Sequence, residues 1–204
     1  MNTIAYLKER YGCGVPIFLK DIRIGGKSKT AIKQALYRAS KNGEIQKEKD
    51  GVYFFYDKSK ERGLLFEEIL EKRFIKNDEG ILPEVYGYYS GLTFLNRMHL
   101  SEQVPAVLEI TTNKTSSKKY VYSMGREMAF IRKPKAEITW RNWKVLQFLD
   151  MFSFLSLEEV KKNKSLIVEY AKSSLPKGTA VEYLKFYPLQ TTKKIVEGGI
   201  IDAL

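Results

Sequence analysis

The apolar positions change period within one short stretch, residues 27–56. Ile32, Ala35, Leu36 and Ala39 recur at helical spacing and fall on one side at about 100° per residue. The opposite side carries Thr30, Lys33, Gln34, Tyr37 and Lys41, with Arg38 on the flank. Asn42-Gly43 predicts the helix end, since glycine reaches the left-handed C′ conformation without steric cost. Two short segments, 44–47 and 52–56, then flank Asp50-Gly51, which predicts a hairpin with a two-residue turn. Upstream, 3–11 reads as a short amphipathic helix with Thr3 as its cap and Ile4, Leu7 and Tyr11 facing inward. Gly12-Cys13-Gly14 breaks it. Phe18, Leu19 and Ile22 then form the core side of a short second helix or an extended lead-in, and Gly25-Gly26 is the turn before the main helix.

The charged stretch 57–62 (DKSKER) predicts a linker. Beyond it, Leu65, Phe66, Ile69 and Leu70 mark a helix running to about Phe74, and 86–100 reads as another helix capped by Ser90 and ending near His99. Val104, Ala106, Leu108 and Ile110 share one face of a strand over 104–112. Strands 119–124 and 128–132, joined around Gly125-Arg126, extend it to a three-strand antiparallel meander. From Glu137 the helical pattern returns through Trp143, Leu146, Leu149 and Phe152. A helix over 156–171 follows, with Ser156 and Glu159 as a capping box, and 180–186 and 192–204 complete a helical tail. The expected fold is therefore α+β: a winged helix-turn-helix domain over 1–57 and a C-terminal mixed domain over 62–204.

Charge sharpens this picture. The 204 residues carry a net +11, and 1–60 hold 13 basic against 6 acidic residues, so most of the excess lies in the first third. Over 20–49 the ratio is nine to three, and Lys27 and Lys29 stand where a helix dipole disfavours positive charge. An incoming phosphate would reverse the sign of that cost. A basic-faced helix followed by a basic-tipped hairpin is the pattern of a winged helix that sets its helix in the major groove and its wing on the backbone. The candidate DNA-binding residues are Lys27, Lys29, Thr30, Lys33, Gln34, Tyr37, Arg38, Lys41, Lys47 and Lys49.

The candidate chemistry is sparse. One cysteine (Cys13) and one histidine (His99) allow neither an internal disulfide nor a cysteine or histidine metal cluster. Gly26-Lys27-Ser28 resembles the end of a phosphate-binding loop, yet Asp21 occupies the position of that motif's first glycine, and a carboxylate there repels phosphate. Glu67, Glu68 and Glu71 read as a solvated face. Trp140 and Trp143 flank Arg141, with Trp143 assigned to the core. No catalytic constellation, metal or cofactor is expected. The opening residues turn charged before any apolar run and no stretch is long enough to span a bilayer, so neither a leader nor a membrane association is expected and the location is cytoplasmic.

Two stretches carry a resemblance. SKTAIKQALYRASKNGEI…DGVYFF is similar to the winged helix of the AbiEi-type antitoxins of bacterial type IV (abortive infection) toxin–antitoxin systems. SGLTFLNRMHLSEQVPAVLEITTNK, residues 90–114, resembles that family's Ser-Gly-led helix, its Gln-Val-Pro and its strand ending in Thr-Asn. The resemblance covers roughly residues 3–132 and departs from the family at Arg97-Met98-His99, where a small-residue helix end is expected. It implies an N-terminal domain that represses its own operon by binding double-stranded promoter DNA. It also implies a C-terminal domain that counters a nucleotidyltransferase-like toxin without a stable complex, and a dimer on DNA is compatible with it. Arg97, Gln103, Lys119 and Arg126 are the polar residues assigned to the toxin-countering surface. The alternatives are a winged-helix transcription regulator whose C-terminal domain senses a ligand or partner, and a nucleic-acid-processing enzyme.

Overall fold

The computed structural model describes residues 2–60, 62–78 and 84–204, with Asp50 described in its backbone only. The architecture is α+β and divides into two compact units. One comprises Met1–Arg73 with Met124–Arg126, the other Phe74–Ser123 with Glu127–Leu204. The division therefore falls at Arg73/Phe74 rather than in the charged stretch at 57–62, of which Glu61 lies outside the described residues.

In the N-terminal unit, α1 (Thr3–Tyr11) is capped by Asn2, whose Oδ1 accepts from the Ile4 N–H at 2.9 Å. Thr3 is buried instead of capping. The segment after it is extended: β1 (Ile17–Phe18) pairs antiparallel with β3 (Val52–Phe54), whose other edge takes β2 (Gln46–Lys47). Helix α2 (Lys29–Lys41) begins at Ser28, whose hydroxyl accepts from the Ala31 N–H. It ends in a Schellman motif, with Glu44 N–H on the Ala39 carbonyl and Gly43, at φ 75°, turning the chain. Leu7, Ile17, Ile22, Ile32, Leu36, Ala39, Ile45 and Tyr53 share one hydrophobic cluster. The hairpin turn is not the expected two-residue one. A 3-10 turn, Lys49–Gly51, is closed by the Glu48 N–H on the Val52 carbonyl, and Gly51 takes the left-handed position (φ 73°) of a three-residue loop. Helix α3 (Phe66–Leu70) buries Phe66, Ile69 and Leu70 and widens into a π-helical turn, Glu71–Ile75.

The C-terminal unit departs further from the meander. β4 (Lys76–Asn77) pairs with β5 (Glu84–Val85). The residues expected to begin a helix at 86 instead form β6 (Gly87–Tyr89), and only Gly91–Arg97 is helical (α4). The main sheet runs β6-β7-β9-β8, where β7 is Leu108–Thr112, β8 Lys119–Met124 and β9 Glu127–Arg132. β7 pairs antiparallel with β6 and parallel with β9, so β8 is an edge strand and no meander forms. Burial explains the order: Ala129 and Ile131 of β9 are fully buried like Ile110 of β7, whereas β8 exposes Val121 and suits an edge. The strand also starts later than its alternation predicts, since Val104 is 80% exposed and Ala106 is exposed; Pro105 beside them has no N–H to give a ladder.

Helix α5 (Trp143–Met151) is apolar nearly all round and buries every residue from Val145 to Met151. Phe148 stacks on Tyr170 and meets Phe152 edge-on. Around it lie α6 (Leu157–Lys162) and α7 (Lys164–Ser174), separate helices divided at Asn163, then α8 (Thr179–Tyr183) and α9 (Leu189–Glu197). The Ser156–Glu159 capping box is formed in both directions. No helix among the described residues is long and apolar enough to cross a membrane.

Candidate nucleic-acid interface

The outer face of α2 is built by its inner one. Because Ile32, Leu36 and Ala39 are buried, the residues between them are forced outward, and Lys29, Thr30, Lys33, Gln34, Tyr37, Arg38 and Lys41 are all exposed. They line a helix of 13 residues, about 20 Å long. Tyr37 is 57% exposed, unusual for an aromatic side chain, and Lys41 sits 5.8 Å from its ring centre. Among the described residues no carboxylate ion-pairs with Lys29, Lys33, Arg38 or Lys41, so the charge of this face is not internally neutralised. Lys47 and Lys49 are exposed on the hairpin that follows. Lys27 differs. It is half-buried, and its ammonium donates to Thr3 Oγ1 at 2.6 Å, tying the segment before α2 to α1.

Beside the start of α2 lies a cavity of about 370 Å³, lined by Phe18, Leu19, Lys20, Ile22, Lys29, Ile32, Lys33, Gly51 and Arg73. Lys20 and Arg73 were not among the sequence candidates. Arg73 arrives from the π-helical turn 32 residues after the end of α2, with its guanidinium 5.5 Å from the Phe18 ring centre, and no local pattern links the two.

Of the four residues assigned to a toxin-countering surface, Arg126 falls in the N-terminal unit and Arg97, Gln103 and Lys119 fall in the C-terminal one. Arg97, at the end of α4, packs its guanidinium 3.7 Å from the Tyr89 ring centre, and Lys119 lies 4.0 Å from that of Phe130. Gln103 is exposed in the loop before β7. Lys119 opens β8, and Arg126 lies in the turn that follows it.

What the sequence does not reveal is a buried polar network in the C-terminal unit. The Glu109 carboxylate accepts from Arg132 Nε at 3.1 Å and Nη2 at 2.5 Å, and from the Leu92 N–H at 3.3 Å. Its own N–H donates to Thr93 Oγ1. Asp150 accepts from Lys135 Nζ at 2.8 Å and from the Tyr88 hydroxyl at 3.1 Å, with Thr111 Oγ1 at 3.4 Å. Burial, then the nearby Asp150 charge, pushes the Tyr88 and Tyr187 phenols up, so both stay protonated. No buried side-chain polar atom among the described residues lacks a partner. Each carboxylate is thus held by a cation and by hydrogen-bond donors, an arrangement that orders a core and leaves no lone nucleophile or base. Nor do three or more His, Cys, Asp or Glu side chains among the described residues gather as a metal site.

No family model and no curated protein matches this chain.

Proposed function

We propose that this chain is a DNA-binding autorepressor and antitoxin of the AbiEi type. In this reading residues 3–56 are a winged helix: α2 is the recognition helix, and the turn at 48–52 is the wing that rests on the phosphate backbone. The observation that carries the reading is the exposed face of α2, where four unneutralised cations frame Thr30, Gln34 and Tyr37. Cations at that spacing suit phosphates on either side of a major groove, while Gln34 offers the bidentate amide that pairs with adenine. The C-terminal unit would counter a nucleotidyltransferase-like toxin, through polar residues such as Arg97, Gln103, Lys119 and Arg126, without forming a stable complex.

The test separates the two activities. Promoter binding is measured by fluorescence anisotropy with a duplex from upstream of the gene, and toxin rescue by growth on co-expression with the product of the neighbouring gene. Lys33→Glu with Lys41→Glu should abolish promoter binding at an unchanged melting temperature. If that double variant binds the duplex as well as the natural chain, α2 is not the recognition helix. An absence of rescue by the natural chain removes the antitoxin role and leaves the second reading, a winged-helix regulator that answers to a ligand or partner. The cavity beside α2 favours that second reading.

A further inference from the structure

The main sheet of the C-terminal unit leaves one edge unused. The Lys133 N–H donates to the Lys118 carbonyl at 3.2 Å and the hairpin turns at 125–126, so the even-numbered residues of β8 aim their backbone groups at β9. Lys119, Val121 and Ser123 aim theirs outward, where no strand pairs with them among the described residues. Their side chains share a face with Met128 and Phe130 of β9, and the Lys119 ammonium lies 4.0 Å from the Phe130 ring centre. Val121 and Met128 are 51% and 47% exposed on that face. An edge of this kind is a template for a further strand.

Charge selects the strand. Residues 113–135 hold seven cations and one carboxylate, Glu127 beside the turn. Arg132 and Lys135 are taken by Glu109 and Asp150, whereas no carboxylate among the described residues ion-pairs with Lys118 or Lys133. These two exposed lysines stand directly opposite each other across the hairpin, an unfavourable like-charge pair whose sign an arriving carboxylate reverses. A second copy of the chain would bring the same lysines and leave that charge standing. A nucleic-acid strand would match the charge, but it has no amide backbone to continue a sheet, and the half-buried Phe130 under Lys119 offers it no open ring to stack on. An extended peptide with apolar and acidic side chains in alternation satisfies the edge, the apolar face and the lysines together.

We propose that β8 is a docking edge for an extended acidic segment of another protein. The segment adds a strand beside β8, with its apolar side chains on Val121 and Met128 and its carboxylates, on the opposite face, near Lys118 and Lys133. All four of these residues lie in the C-terminal unit, so the proposal stands apart from DNA binding by α2.

The experiment uses the full chain at low salt and a fluorescein-labelled peptide of alternating valine and glutamate, read by fluorescence anisotropy. About ten residues suffice to run past β8. The peptide should bind saturably, one per chain. A peptide with lysine in place of glutamate, and one methylated at every backbone nitrogen, should each bind at least about tenfold more weakly. Lys118→Glu with Lys133→Glu should weaken the first peptide by at least about tenfold at an unchanged melting temperature, since both side chains are exposed. Val121→Pro removes an outward N–H and should weaken it as much; if that variant fails to fold, the lysine variant and the methylated peptide still decide. Lys33→Glu with Lys41→Glu on α2 should leave the peptide's affinity unchanged. Affinity lost in that α2 variant, affinity unmoved by the Lys118 and Lys133 changes or by backbone methylation, or no saturable binding overturns the proposal. A dimer, by light scattering, that dissociates on Val121→Pro also overturns it, because a second copy then holds the edge. So does a single-stranded thymidine oligonucleotide that binds more tightly than the peptide and is lost in the Lys118 and Lys133 variant. Peptide binding as expected in a chain without affinity for any duplex upholds the edge and refutes the DNA-binding reading alone.

Discussion

Single residues carry the sharpest consequences. His99 is the only non-glycine residue at positive φ among those described (55°), and it occupies the C′ position of α4: its N–H meets the Asn96 carbonyl, and the Leu100 N–H meets that of Leu95. The left-handed conformation costs an L-residue about 1–2 kcal/mol, and the His99 side chain is exposed. His99→Gly should therefore stabilise the chain by about 1 kcal/mol, read from chemical denaturation. Gly91 is the opposite case. At φ 56° a Cβ there would stand 2.4 Å from the Glu109 carboxylate, so Gly91→Ala should destabilise by several kcal/mol and lower the melting temperature sharply. The Ser90-Gly91 pair was legible as the start of a helix, but its reason, a carboxylate eighteen residues beyond Gly91 pressed against the backbone, was not. On α2, Gln34→Ala should cost about 1–3 kcal/mol on promoter DNA and little on random DNA, by competitive anisotropy; equal losses would refute base contact. Helical spacing and sign were enough to single out that face, since both are local. Arg73 was beyond reach because only the fold brings it to Phe18.

Among the elements, α3 shows how a charged face can be structural. Glu68 was read as solvated, yet it takes both Arg62 nitrogens, the Lys60 ammonium and the Leu65 N–H. The Arg62 guanidinium holds its carboxyl down from 4.5 to about 2. A depressed carboxyl contributes stability that is full above about 4.5 and is lost as the pH falls toward 2. Solvent screening at a side chain 26% exposed limits it to about 1 kcal/mol. Glu68→Gln should lower stability by that amount at pH 7 and by nothing near pH 2, so the stability curves of the two proteins should converge on acidification. Boundaries with a local signal matched their expectation: α2 ends at Asn42-Gly43 and α6 starts at the Ser156–Glu159 box, although the single helix expected over 156–171 divides at Asn163. The first three strands of the C-terminal unit, each of two or three residues, did not. β4, β5 and β6 are too short for alternation to register, and Tyr86, Tyr88 and Tyr89 have the same apolar look in a helix as in a buried strand.

For the whole molecule, the position of the boundary matters most. A fragment of residues 1–60 would lack α3, whose Phe66, Ile69 and Leu70 are buried and fall within the N-terminal unit. Residues 1–75 should therefore melt cooperatively, and 1–60 should melt at a lower temperature or not cooperatively at all; identical melting would remove α3 from the unit. If the four α2 cations, Lys47 and Lys49 all meet phosphates, the logarithm of the full chain's DNA affinity should fall against that of salt with a slope near −5. The sheet of the C-terminal unit carries a last implication, in time rather than space. β7 can find its parallel partner only after β8 and all of β9 have been synthesised, because the register from Leu108↔Ala129 to Thr111↔Arg132 spans the intervening hairpin. The ion pair between Glu109 and Arg132 closes at that same moment. Until Arg132 clears the ribosome, β7 has only β6 beside it, and its other edge waits at Ile110 for Ile131 to pair with it. Nascent chains stalled before that point should be cut readily by protease within 108–112, and chains stalled well beyond it should resist.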